Sequence, residues 1–385
     1  MSHRLLKFLL HAGFFVSGIA TVIIGQFLPI LATKFSLNDQ QTALFFPAQF
    51  TGSLIGTFLT NWFGKRHKFV AASAFGCFAM AVGVSLLNFD SFALCLLGFL
   101  INGIGIGLTL PSINMLILEL NPTRTTSALS ILNFFWGVGA IISSPFVDFF
   151  SHKTDIFAPT IILSIALIII GAAIIFQPKE FEQKPILNEE TEDFAAPIWS
   201  NPIAWTIAAF NFIHVGFESG MGGWLKLYTE RIEGGEVKSL FPPIVLFFVF
   251  FVIGRGVAPI FFRFLNENRM LALNLLLILG GMIVLLLAKD VVMLSVGASI
   301  AGLGTSSIFP TNVSRFTKTF GATASRRATP LFICGTLGAI FTTWLIGVLS
   351  NKYNDLRAGM FTLLISVLVL IVLQIGLSLR NREIR

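Results

Sequence analysis

Asn211, His214 and Glu218 stand at i, i+3 and i+7 in the stretch NFIHVGFESGMGGWLKLY, residues 211–228. On a helix the three side chains share one face. They offer an amide, an imidazole that titrates near neutral pH and a carboxylate, a set able to hold a proton or a small cation and to hydrogen-bond a polar ligand. Arg255, flanked by Gly254 and Gly256, is a permanent cation inside an apolar run. It requires an anionic or carbonyl partner: the Glu218 carboxylate, an anionic ligand, or an acceptor that makes it a gate or structural tie. Asn133 and Trp136, at i and i+3, pair an amide with a flat ring. That pairing suits a polyhydroxylated ligand, because amides bond hydroxyls while the ring covers an apolar C–H face.

Other buried amides are expected at Gln26, Gln49, Asn102, Asn114 and Asn312, each able either to bridge helices or to touch a ligand. With Trp224 in the same stretch as Glu218, the candidate substrate-binding set is Gln26, Asn133, Trp136, Asn211, His214, Trp224 and Asn312. Glu218 and His214 are the candidates for ion coupling. Arg255, with Lys65 and Arg66, is the candidate gate or ion pair. For His214 the plainer alternative is a packed imidazole bonded to a helix carbonyl.

Several chemistries are not written here. No zinc-ligand spacing, nucleophile elbow or carboxylate pair on a soluble domain occurs, so no enzyme, metal site or cofactor is expected. The GIGIG run at 103–107 has no preceding strand and no following nucleotide-site lysine, which removes a phosphate-loop reading. Cys77, Cys95 and Cys334 lie in apolar runs without CxxC spacing and read as helix-packing residues.

The elements that carry these residues follow from composition. The 385 residues are 55% hydrophobic and 12% charged, with a mean hydropathy of +0.84, whereas soluble domains carry about 25% charged residues. The bilayer is therefore the solvent. Apolar runs of about 20 residues are expected near 8–32, 41–63, 68–88, 92–118, 125–149 and 157–177. A second set falls near 202–228, 241–264, 270–288, 290–316, 325–350 and 356–379. The fold class expected is all-α membrane protein, 12 transmembrane helices in two six-helix pseudo-symmetric halves, 1–177 and 201–385. A polar, Glu- and Pro-rich cytoplasmic linker, 178–200, joins them. Most of the 26 Lys and Arg residues fall in connections that lie inside if both termini are cytoplasmic, and that is the orientation expected. The same distribution explains the net charge of +7 without a nucleic-acid partner.

The halves resemble one another. At one constant offset, Gly98, Ile101, Gly103, Gly105 and Pro111 of the fourth span recur as Gly297, Ile300, Gly302, Gly304 and Pro310 of the tenth. Gly139, Ala140 and Ile141 recur as Gly338, Ala339 and Ile340. Such a duplication builds transporters that expose a central site to one side of the membrane at a time.

Six plus six spans, a charged linker and a parallel repeat resemble the major facilitator superfamily. LTNWFGKRHK, residues 59–68, is similar to its GxLADRxGRK signature: Gly64, Lys65 and Arg66 match the second half, while Asn61 stands at the acidic position. A finer resemblance is to the sugar-transporting branch that includes fucose and sodium-glucose cotransporters. It rests on LNFFWGVGAIISSP, on Glu-x3-Gly-Gly-Trp-x3-Tyr from Glu218 to Tyr228, on Gly254-Arg255 and on GLGTSSIFPTNVSRF. The acidic residues that proton-coupled fucose transporters carry in spans one and four are absent from IIGQFLPIL and GIGLTLPSIN here.

The resemblance implies a secondary transporter of a small polar solute, a sugar, coupled to H+ or Na+. It would work as a monomer in a cell membrane, the inner membrane of a bacterium being expected. The alternatives are an efflux pump for amphipathic compounds, which 42 Phe residues would accommodate, and an uncoupled uniporter.

Overall fold

The computed structural model describes residues 3–66, 68–121, 125–151, 155–177, 198–235, 241–321 and 327–383. The linker expected at 178–200 lies outside them except for Ile198–Ser200, a single 3-10 turn. The chain divides into two compact units, Met1–Leu37 with Leu44–Thr191, and Asn38–Ala43 with Glu192–Arg385.

The first unit is built from α1 (His3–Lys34), α3 (Phe45–Gly64), α4 (Phe69–Leu86), α5 (Phe92–Glu119), α6 (Thr125–Phe150) and α7 (Phe157–Ile175). The second contains the short α2 (Asp39–Thr42), then α8 (Pro202–Glu233), α9 (Pro243–Phe261), α10 (Glu267–Leu287), α11 (Val291–Thr305), α12 (Ile308–Phe320), α13 (Thr329–Tyr353) and α14 (Leu356–Glu383). Among the described residues, eleven segments are long and apolar enough to cross a membrane. The twelfth expected span, α8, has the length to do so but is not in that set; Asn211, His214 and Glu218 lower the hydropathy of its middle, and Lys226, Glu230, Arg231 and Glu233 follow toward its end. Its ends are chemically marked. The Asn201 side chain accepts from the Ile203 N–H, Pro202 opens the helix, and Gly234 closes it in the left-handed region at φ 75°, where glycine has no Cβ to clash.

Helix faces sort by solvent. α7 buries Leu163, Leu167, Gly171 and Ile174 and exposes Ile162, Ile165 and Ile169. A row of exposed isoleucines is tolerable only where lipid covers it. Inside the first unit Leu6, Leu10, Phe14, Val70, Ile113, Leu116 and Leu132 form one cluster. In the second, Ile198, Ile207, Ala208, Phe316 and Leu331 form another.

The repeated glycines mark equivalent helix contacts in the two units. A Cβ on Gly103 would collide with the Gln49 carbonyl, and one on Gly302 with the Phe247 carbonyl; Gly139 and Gly338 stand likewise against the carbonyls of Phe15 and Phe212. Without a hydrophobic force between helices in lipid, such close backbone approach supplies much of the association.

Two differences from the expected architecture stand out. Residues 38–43, expected to belong to the first half, pack with the second unit, because Asp39 accepts from both terminal nitrogens of Arg231 and from the Ser350 hydroxyl. The tenth span, expected as one helix over 290–316, is two helices separated by a turn at Ser306–Ser307.

Candidate functional site

The polar centre of the second unit starts from α8. His214 is fully buried, and its Nε2 lies 3.6 Å from Glu218 Oε2 on the next turn, while neither ring nitrogen makes a hydrogen bond. The Glu218 side chain keeps 25% exposure, so the carboxylate is reachable while the imidazole beside it is not. Arg255 of α9 completes the group: its charge acts on both Glu218 and His214. Its Nε, however, donates to the Ser306 carbonyl at 3.1 Å, and its guanidinium lies 4.1 Å from the Phe251 ring centroid. The observed partner of the cation is a backbone carbonyl and an aromatic face, with Glu218 beyond ion-pair distance.

Why that carbonyl is free follows from the sequence. Pro310 has no N–H, so the carbonyl four residues earlier, that of Ser306, loses its helical partner. Thr305, Ser306 and Ser307 precede it. The Thr305 hydroxyl donates to the Ala301 carbonyl and the Ser306 hydroxyl to the Leu303 carbonyl, at 2.7 and 2.6 Å. Hydroxyls that offer local alternatives to the ladder weaken a helix at such a point. The chain turns there, and helix resumes at Ile308 with Pro310 in its first turn, where a missing N–H costs nothing. Asn274 of α10 donates to the Ser307 hydroxyl at 2.6 Å. On the other side Gly254 lets α9 come close, since a Cβ there would overlap the Ser306 hydroxyl.

The remaining expected residues divide. Asn211 is buried, its Nδ2 donating to the Leu331 carbonyl at 2.9 Å and its Oδ1 unpartnered. Asn312 is fully buried, its Nδ2 donating to the Ile207 carbonyl at 3.2 Å and its Oδ1 unpartnered. Each therefore bridges two helices and retains one acceptor. Trp224 is completely buried and its Nε1 donates to the Thr343 carbonyl at 3.0 Å, which places it in helix packing away from any open surface.

In the first unit Gln26 is fully buried with neither amide atom bonded. Gln49 and Asn102 are helix bridges: Gln49 donates to the Thr21 carbonyl, and Asn102 to the Ala20 carbonyl and to Gln49 Oε1. Asn133 is exposed and donates to the Leu129 carbonyl of its own helix. Trp136 is partly buried against the cluster around Leu10, with its Nε1 unpartnered. Lys65 and Arg66 are exposed at the end of α3, and the Arg66 guanidinium lies 3.6 Å from the Trp62 ring centroid. The structure thus brings together His214, Glu218 and Arg255 and adds Phe251, Asn274 and the Ser306–Ser307 turn. The signal for that turn, a Thr-Ser-Ser run ending three residues before a proline, was present in the sequence.

The sequence model of the Major Facilitator Superfamily matches residues 10–332. Among proteins of known role, human sodium-dependent glucose transporter 1 is 22% identical over 394 residues, covering 92% of this chain and 75% of that protein. Of solved structures, the transporter FucP in its outward conformation superposes with a TM-score of 0.65 at 18% identity, covering 96% of this chain and 97% of FucP. The nucleoside transporter NupG does so with a TM-score of 0.76 at 14% identity, covering 97% of each chain. At these identities the likeness to the two structures is one of fold.

Proposed function

The chain belongs to the Major Facilitator Superfamily, and from that premise we propose that it is a secondary transporter moving a small polar solute, a sugar, coupled to a cation through Glu218. The family is one of multi-pass membrane transporters, and the chain is a transporter of that family rather than an enzyme. The sugar reading is supported by relatives named sodium-dependent glucose transporters in human and mouse. The buried amides that keep a free acceptor, Gln26, Asn211 and Asn312, suit a neutral ligand rich in hydroxyl donors.

One observation carries the coupling. Glu218 lies within a helix of membrane-spanning length, partly open and next to a buried imidazole, and Arg255 is tied to a carbonyl instead of to it. A carboxylate at membrane depth costs several kcal/mol unless it is neutralised. An arriving cation supplies that neutralisation, and its departure removes it, so the occupied and empty states differ in energy in the way a coupled cycle requires. We place the protein in a cell membrane with both termini on the cytoplasmic side, following the distribution of Lys and Arg in its connections.

The test is uptake by purified protein in liposomes, with labelled hexoses supplied under an imposed proton gradient, an imposed sodium gradient and none. Saturable uptake of one hexose that rises with one gradient is expected. Absence of saturable uptake of every hexose removes the sugar, and uptake indifferent to both gradients removes the coupling.

A further inference from the structure

We propose that Arg255 is the clamp of a hinge in the tenth span and that it links this hinge to the charge on Glu218. The proposal rests on the coupling role of Glu218 given above and adds the element through which that charge acts. Three observations meet at one carbonyl. Pro310 strands the Ser306 C=O, α11 and α12 part at Ser306–Ser307, and Arg255 Nε donates to that same C=O at 3.1 Å. Gly254 makes the approach possible, since any larger residue there would strike the Ser306 hydroxyl.

The rest of the guanidinium has no hydrogen bond among the described residues. It lies against the Phe251 ring and within the field of Glu218. Arg255 is the charged group acting on Glu218 from a neighbouring helix, and His214 is the titratable group beside it on α8. A guanidinium has a rigid fork of donors, so one that is bonded at Nε to the Ser306 carbonyl and attracted by the charge on Glu218 is held in place by both. When Glu218 is neutralised by a cation, the attraction that helps hold Arg255 in place is lost, its clamp on the Ser306 carbonyl loosens, and α12 is freed to move on α11. Arg255 acts through the hinge and is a positioning residue, not a group that touches the transported solute.

The experiment measures the hinge directly. Spin labels are placed at Val296→Cys on α11 and Thr319→Cys on α12, both exposed positions, with Cys77, Cys95 and Cys334 replaced by Ala. The full chain is reconstituted in nanodiscs and the inter-label distance is read by pulsed electron resonance. A straight helix at 1.5 Å per residue would separate the two backbones by about 34 Å. The expected result is one narrow distribution for the parent protein and a broad one for Arg255→Gln. Arg255→Lys, which keeps the charge but not the Nε donor, broadens it as well and serves if the glutamine variant does not fold. Adding Pro310→Ala returns an N–H to the stranded carbonyl, so the double variant Arg255→Gln with Pro310→Ala should narrow again, a rescue that general destabilisation would not give. Glu218→Gln should shift the distribution only while Arg255 is present.

Unchanged width in both Arg255 variants, no rescue by Pro310→Ala, or a Glu218→Gln shift that persists without Arg255 would overturn the proposal. A failure of the underlying coupling reading is seen separately, as concentrative uptake by Glu218→Gln, and would leave the rescue result intact.

Discussion

In the first unit Pro111 lies inside the continuous helix α5, and the carbonyl it strands, that of Gly107, accepts from the Thr60 hydroxyl of α3 at 2.9 Å. In the second, Pro310 at the matching position follows a turn, and the carbonyl it strands, that of Ser306, accepts from the Arg255 guanidinium of α9. The two spans begin from the same glycine pattern, and both solve the same problem: a proline inside a membrane helix leaves an acceptor that lipid cannot satisfy, so a neighbouring helix supplies a donor. They differ in the residues before the proline. Gly107-Leu108 offers no side-chain hydrogen bond and the helix runs on, whereas Ser306-Ser307 offers two and the helix stops. They differ also in the donor, a neutral hydroxyl in one half and a cation in the other. Duplication thus left one continuous copy and one interrupted copy that a cation holds, and the interrupted copy lies in the half that carries His214 and Glu218.

The largest expected effect is at Arg255. Arg255→Met leaves Glu218 without its positive neighbour and the Ser306 carbonyl without a donor. Losing a hydrogen bond from a charged donor costs about 1.5–3 kcal/mol, and the field of Arg255 on the partly exposed Glu218 is lost with it. A lower melting temperature in detergent, partly recovered by adding Glu218→Gln, would be the signature; no recovery would mean that Arg255 does not act on the charge of Glu218. Exchanging the residues at the joint is the next test. Ser306→Gly with Ser307→Leu should straighten the tenth span toward the form of the fourth, lengthening the distance between labels at 296 and 319 and slowing transport. An unchanged distance would show that the turn is set elsewhere.

Thr60→Val, the neutral counterpart, should cost about 0.6–1.7 kcal/mol, the range for single interhelical hydrogen bonds in a membrane. Its small drop in melting temperature should come with near-parental uptake. A loss of transport comparable to that of Arg255→Met would erase the distinction drawn between the halves. The smallest effect on transport belongs to Trp224→Phe, which gives up one bond to the Thr343 carbonyl and leaves a void in a packed interior. It should lower the melting temperature at least as much as Thr60→Val and leave any sugar-induced change in tryptophan fluorescence in place, whereas Trp136→Phe should remove part of that change.

Much of this arrangement was legible in the chain. Apolar run lengths marked the helices, and the glycine repeat gave both the duplication and the pairs of close helix contacts, because glycine at a helix crossing is needed for its size. The polar face of α8 was legible because Asn211, His214 and Glu218 are conspicuous in apolar surroundings. Pro310 marks a bend in the tenth span, but the break into two helices was not read, since Thr-Ser-Ser barely lowers the hydropathy of a 20-residue window even though it weakens the backbone ladder. The partner of Arg255 was hidden for a related reason: its acceptor is a main-chain carbonyl, and every residue carries one. Asp39 escaped notice because a short loop with an acid is common, and only the fold puts Arg231 and Ser350 beside it. Trp224 was read as a ligand contact from its neighbours in sequence, and helix packing turned it inward instead.

As the proposed coupling group, Glu218 is the residue whose substitution tests most. The decisive measurement compares two modes of transport by Glu218→Gln in liposomes: accumulation of labelled sugar against its gradient, and exchange of labelled for unlabelled sugar at equal concentrations. Accumulation should be lost while exchange persists, because the amide mimics the neutralised carboxylate and no longer responds to the cation. Accumulation at the parental level in the glutamine variant would contradict the account.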